Sequence, residues 1–295
     1  MGYEWLALIS AAIWAGTSLI SVTPARHLGA FSYSRWRIGL VTLILTVASL
    51  ITGGWQTLSG QDLIWLICSG AIGIFIGDTA LFACMNRLGP RRANLLFTSN
   101  AIFSTILGTI IFHERMQSIQ LLGATLLLLA IALAILFGHR QQHHAWENVK
   151  GSLSIAISLG LIAALGQSLG SILAKPVMHG SIDPIAASMV RMLSAFIAHL
   201  VLAFFNHSSY CRAQKPMNIK IFTLVFANGF LAMGVGMTLI LYALRHGDVG
   251  MVSLLSATTP VMILPLLWIC TKEPPTRSAW FAATLAVIGS ALLIH

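Results

Sequence analysis

Ten apolar runs, each about as long as a bilayer's hydrocarbon core is thick, take up almost the whole chain. A span needs roughly 20 apolar residues to cross ~30 Å of hydrocarbon, so little is left for a soluble domain. The runs lie near 4–22, 34–51, 62–84, 92–112, 118–137, 151–174, 184–205, 219–242, 248–270 and 277–294. Only 8% of the 295 residues are charged, and 57% are hydrophobic. A soluble domain carries roughly 25% charge. The chain is therefore expected to be an all-α integral membrane protein of ten transmembrane helices.

The longest polar break, 138–150, divides the chain into a first unit at 1–137, a linker, and a second unit at 151–295. The units are related. Sliding the sequence by 159 positions aligns 70–133 with 229–292 without a gap and gives 13 identities, among them Gly70 with Gly229, Gly77 with Gly236, Thr79 with Thr238 and Glu114 with Glu273. Arg35 and Arg191 correspond at a shift of 156. Five helices per unit is an odd number, so the second unit must enter the membrane inverted with respect to the first. The loop charges agree: odd-numbered loops hold eleven Lys and Arg residues and even-numbered loops three. The positive-inside rule then puts the odd loops in the cytoplasm and both termini outside. The N-terminus has no basic region ahead of its first apolar run and no cleavage site after it, so that run is expected to be a retained helix. The net charge of +9 sits mostly in loops between spans rather than on one face, which argues for membrane topology and against nucleic acid. Cys68, Cys84, Cys211 and Cys270 have no framework spacing and are expected to be free thiols.

Particular residues resemble a known family. The second unit reads Tyr242, Ala243, Leu244, Arg245, His246, Gly247, then Thr259, Pro260 and later Glu273, Pro274; the first offers Ile13, Trp14, Ala15, Gly16 and Glu114. This pattern resembles the EamA-type transporters of the drug/metabolite transporter superfamily. The first unit departs from it, with Ala101 in place of the proline and Met85, Asn86, Arg87 at the exit of its third helix. The resemblance implies a doubled five-helix unit and transport of amino acids, other metabolites or drugs.

Asp78 is the only acid well inside a predicted span, a placement that costs roughly 2.5–3.5 kcal/mol on insertion scales. It reads either as a proton-coupling or ammonium-binding site, or as a buried partner for Arg35 or Arg37. Its repeat counterpart is Met237. A cavity between the units, lined by helices 1, 3, 4, 6, 8 and 9, draws its candidate solute contacts from Trp14, Thr17, Asp78, Phe82, Thr98 and Asn100 in the first unit. Gln167, Ser168, Asn228, Met233, Tyr242, Ser256 and Thr259 are the candidates from the second. Polar groups in hydrocarbon need partners and so face inward, although helix-packing hydrogen bonds are the plainer use for each. Arg35 with Glu273, and Arg191 with Glu114, are candidate latches on opposite sides of the cavity, with separate interfacial snorkelling as the alternative. Pro260 and Pro265 are expected to interrupt helix 9.

Several motifs are set aside. Gly166, Gln167, Ser168, Leu169, Gly170 has the form of a hydrolase elbow but lies inside an apolar run, without the required strand-to-helix turn. His139, His143 and His144 fall in the polar linker with no ligand set beyond Glu147, so no metal or cofactor is expected. No Walker loop is present to drive an ATP pump. The expected function is secondary transport of small amphipathic metabolites such as amino acids, by an exporter or exchanger of the bacterial inner membrane that works by alternating access. Its expected partners are a small-molecule solute and the lipid bilayer, with the oligomeric state left open. Coupling to protons and uncoupled facilitation are both open, as is multidrug efflux. A membrane-embedded enzyme acting on lipid-linked substrates is a further alternative, as is a channel or scaffold.

Overall fold

The computed structural model describes residues 3–88, 90–137, 152–205, 213–271 and 277–294. Ten helices account for nearly all of them: α1 (Glu4–Leu28), α2 (Ala30–Thr52), α3 (Gly60–Leu88), α4 (Pro90–Phe112), α5 (Ser118–Phe137), α6 (Leu153–Met178), α7 (Pro184–Phe205), α8 (Ile219–His246), α9 in two pieces (Val249–Ser256 and Thr259–Thr271) and α10 (Arg277–Ile294). Among the described residues nine are long and apolar enough to cross a bilayer, and α5 supplies a tenth apolar helix of 20 residues. No described residue is in a strand.

The sequence located every helix but misplaced some ends. α1 runs through Pro24 to Leu28, where Gly29 at φ +82° turns the chain directly into α2. The polar composition of 23–33 suggested a loop, yet Pro24, Ala25, Leu28, Ser32 and Tyr33 are buried against neighbouring helices. α9 breaks at Ala257 and Thr258 rather than at its prolines. Pro260 falls in the first turn of the second piece, where a missing N–H costs nothing, and Pro265 continues inside that piece.

Loop contacts define two faces. Tyr3 stacks on His246 at 3.9 Å, the Asp183 N–H donates to Thr57, and Arg245 donates to the Gly180 carbonyl; these join the N-terminus and the even-numbered loops on what we call the terminal face. His27 bonds to the Pro216 carbonyl and the Gln214 N–H to that of Leu28, joining odd-numbered loops on the opposite, basic face.

Contacts between the units are symmetric under exchange of one unit for the other. α2 packs on α7, α5 on α10 and α4 on α9, each pair mapping onto itself; α6 against α3 and α4 is matched by α1 against α8 and α9. The same irregularity recurs in both units. α3 widens into a π-helix over Gly70–Asp78 and α8 over Gly229–Gly236, which are equivalent at the shift of 159. An interhelical hydrogen bond recurs as well: Ser69 on α3 donates to the Gly170 carbonyl of α6 (2.5 Å), and Asn228 on α8 donates to the Thr17 carbonyl of α1 (2.9 Å).

α5 and α10 cross through backbone contact. A Cβ on Gly123 would stand 2.8 Å from the Gly289 carbonyl oxygen, and one on Gly289 would stand 2.8 Å from that of Gly123. With Ala130 and Ala282 also buried, small residues seven apart line this seam on each helix.

Candidate functional site

Polar side chains gather at two levels between the units. The first lies toward the basic face, seven residues into α2. Arg37 is 3% exposed. Its Nη2 forms an ion pair with Asp78 Oδ2 at the end of the α3 π-segment, and its Nη1 donates to Asn228 Oδ1 of α8 at 3.1 Å. Ser34 donates to the same Asp78 oxygen at 3.4 Å. The guanidinium lies over the rings of Phe82 (4.8 Å) and Tyr33 (5.2 Å), which exclude water and add cation–π attraction. Asn228 completes the link by donating to the Thr17 carbonyl. Arg37, Asp78, Asn228, Thr17 and Phe82 thus form one unit spanning α1, α2, α3 and α8. A buried carboxylate is tolerable there because its charge is paired and hydrogen-bonded.

Next to it, α1 donates into the π-segment of α8. Trp14 Nε1 reaches the Ala232 carbonyl (2.8 Å) and Ser10 reaches that of Gly236 (2.9 Å). π-Turns leave carbonyls misaligned with their own helix, and side chains of a neighbour can take them up. Trp14 also packs on the core cluster that contains Met233. On α6, glycines replace these donors: Gly73 of α3 rests on Gly170, and Gly77 on Gly166.

The second level closes the terminal face. Glu114, just past the end of α4, accepts from the backbone N–H groups of Val249 (2.9 Å) and Gly250 (3.3 Å) at the start of α9. Helix N-termini favour such a carboxylate. Lys175 of α6 forms an ion pair with Glu114, lies 3.6 Å from Asp248 and stands over the Phe112 ring. His113, at φ +56°, is the one described non-glycine residue in left-handed backbone, and it turns the chain so that Glu114 points back at α9. Gly250 allows the approach, since its Cβ would stand 3.0 Å from the Thr105 Cα. An open cleft of about 570 Å³ borders the cluster. His179, in the loop after α6, faces the cleft; burial, then Lys175 and His246, lower its pKa below the usual value. The clamp belongs to both units, with Glu114 from the first and Lys175 and the α9 N-terminus from the second. By contrast, α1 makes at most marginal contact with α3 and α4 along its length, and near the basic face Ala25 of α1 joins Phe82 of α3 and Ile221 and Val225 of α8 in one apolar cluster.

The other candidates scatter. Ser168 accepts from Ser104 at the α4–α6 seam (2.9 Å), and Gln167 is half-buried nearby. Thr98, Asn100, Ser256 and Thr259 bond to carbonyls of their own helices. Tyr242 is 38% exposed and stands apart. Glu114 is engaged by Lys175 rather than by Arg191, and Arg35, half-buried at the basic end of α2, is not the α2 arginine that meets Asp78. Glu273 and the histidine linker lie outside the described residues. Lys175 was missed because the sequence reading ended helix 6 at 174 and counted it as a loop charge.

The EamA-like transporter family matches residues 1–136 and 154–295. A Salmonella typhimurium protein named as a probable amino-acid metabolite efflux pump is 25% identical over 234 residues, covering 76% of this chain and 74% of its own. A Bacillus subtilis protein named as the uncharacterized transporter YetK is 20% identical over 290 residues, with 96% and 82% covered. One solved crystal structure superposes with a TM-score of 0.79 at 17% identity over 99% of this chain and 95% of that one, so the fold is shared. With the repeat match running over nearly its whole length, the chain belongs to the EamA-like transporter family and is a multi-pass membrane transporter.

Proposed function

We propose that the protein is a secondary transporter that exports small amphipathic metabolites of amino-acid type across the bacterial inner membrane by alternating access. The observation that carries this reading is the clamp of Glu114 by Lys175 and the α9 N-terminus, which ties the two units together at one face. A face held shut by charges from both units is what one of the two states of alternating access requires. With eleven of the loop cations on the opposite, basic face, the positive-inside rule makes that face cytoplasmic and the termini external. A solute then enters from the cell and meets the Arg37–Asp78 cluster before it reaches the seal. The amino-acid class rests on the printed name of the Salmonella relative.

Counterflow of labelled amino acids in proteoliposomes tests the reading. Saturable exchange, abolished by Asp78→Asn, is expected. Chemical conversion without flux, or flux that never saturates, would overturn it.

A further inference from the structure

The unit-to-unit symmetry assigns a counterpart to Arg37, and it is Arg191 at a shift of 154, not the pair read from sequence. Gly229, in the α8 π-segment, faces Arg37, with its Cβ position 3.2 Å from the Arg37 carbonyl oxygen; its equivalent, Gly70, faces the backbone of Arg191 in the same way. Burial agrees: positions 30, 32, 33, 34, 37, 38, 41 and 45 of α2 are buried, and so are 184, 186, 187, 188, 191, 192, 195 and 199 of α7. Each arginine stands seven residues into its helix, Arg37 from the basic face and Arg191 from the terminal one.

Their surroundings differ at three positions. Where Arg37 has Asp78, Arg191 has Met237; where it has Asn228 as acceptor, Arg191 has Ser69, whose hydroxyl is spent on Gly170. Tyr33 becomes Ala187, a smaller neighbour. Arg191 is 1% exposed, its Nε and Nη2 have no acceptor, and no carboxylate of the described residues pairs with it. An unpaired buried guanidinium is strongly destabilising unless an anion joins it during function. Nη2 faces Gly73, whose Cα packs on Gly170 at the contact between α3 and α6.

We propose that Arg191 receives the carboxylate of the solute on the terminal half of the path, an exogenous group doing there what Asp78 does for Arg37. The inference rests on the transport reading above for the identity of its carboxylate. A fork of N–H donors suits a carboxylate bidentately, which an ammonium on lysine matches only as a point charge.

Thermal-shift titrations on the purified full chain, with compounds that differ only in the carboxylate, test it: L-phenylalanine against phenethylamine, and L-leucine against isopentylamine. The acid of each pair is expected to stabilise the wild type and the amine not. Arg191→Gln should weaken the acid by about tenfold or more, with Arg191→Lys retaining part of the response. Met237→Asp, which places an internal carboxylate where Asp78 stands in the other unit, should raise the melting temperature yet remove the response to the acid. A purely structural role for Arg191 predicts the first of these effects without the second. Equal responses to acid and amine in the wild type, including none to either, overturn the proposal, as does a folded Arg191→Gln or Met237→Asp that keeps the preference. Flux separates the two readings: saturable transport without carboxylate preference sinks this inference alone, whereas carboxylate-dependent stabilisation without any flux sinks the transport reading alone.

Discussion

Replacing Lys175 by methionine should open the terminal face. The side chain keeps its length and its packing on Phe112 but loses its charge, leaving the Glu114 carboxylate, 9% exposed, with only the two α9 N–H groups. Removing one member of a buried ion pair costs roughly 3–5 kcal/mol, because the survivor stays desolvated without its counter-charge. The adjoining cleft lets water reach Glu114 and favours the lower end, about 3 kcal/mol. That cost falls on the closed state alone, and moves the closed-to-open ratio roughly a hundredfold. Spin labels at the exposed positions 117 and 181, in a background without the native cysteines, report the separation of the units at this face. A short-distance population in the wild type should give way to a longer one in Lys175→Met. Adding Glu114→Gln should recover much of the short distance, since the stranded charge is then gone. An unchanged distribution in the single variant, or a double variant as open as the single, refutes the clamp.

Three further outcomes follow from the same geometry. Asp78→Asn strands the Arg37 charge and should lower stability by about 3 kcal/mol in a denaturation series, whereas Asp78→Asn with Arg37→Gln should regain most of the stability without transport. Gly123→Val drives a side chain into the Gly289 backbone and should cost about 1–3 kcal/mol, read as a fall in melting temperature; a stability equal to wild type would mean that α5 and α10 are not in backbone contact. His179 is harder to protonate in the closed protein than in water, so acid favours states in which it is solvated. Closure should therefore be complete above its ordinary pKa of about 6.5 and weaken as the pH falls through that value. The label distance at positions 117 and 181 should lengthen over that range, and less so in His179→Gln.

The helix count and the doubled unit were legible because they depend on hydropathy and on spaced Gly, Thr and Glu identities, which one sequence carries. The α1–α2 turn was not, because a serine buried by a neighbour has the same local signature as one in a loop: Ser32 fell between the two expected spans and is interior. Register between α2 and α7 depends on which side each residue presents, so matching Arg35 to Arg191 by identity placed the alignment two residues off. Asp78 announced itself, since a lone acid at membrane depth demands a partner. Lys175 did not, since a cation beside a proline at a span's end has an ordinary explanation, and only the approach of α4, α6 and α9 reveals its acid. Thr98, Asn100 and Thr259 illustrate the opposite error, in which hydroxyls and amides that bond their own helix look like ligand contacts.

The paired π-segments bear on how the molecule came to be. Such a bulge arises when one residue is added within an α-helix, and it persists only where the surroundings accommodate it. Two separate additions at the same glycine in two helices that face opposite ways demand a coincidence; a single addition, made before the gene doubled, demands none. The acid at position 78 and the methionine at 237, equivalent positions at the ends of the two widened segments, show the copies diverging there and leave the two halves of the molecule unlike.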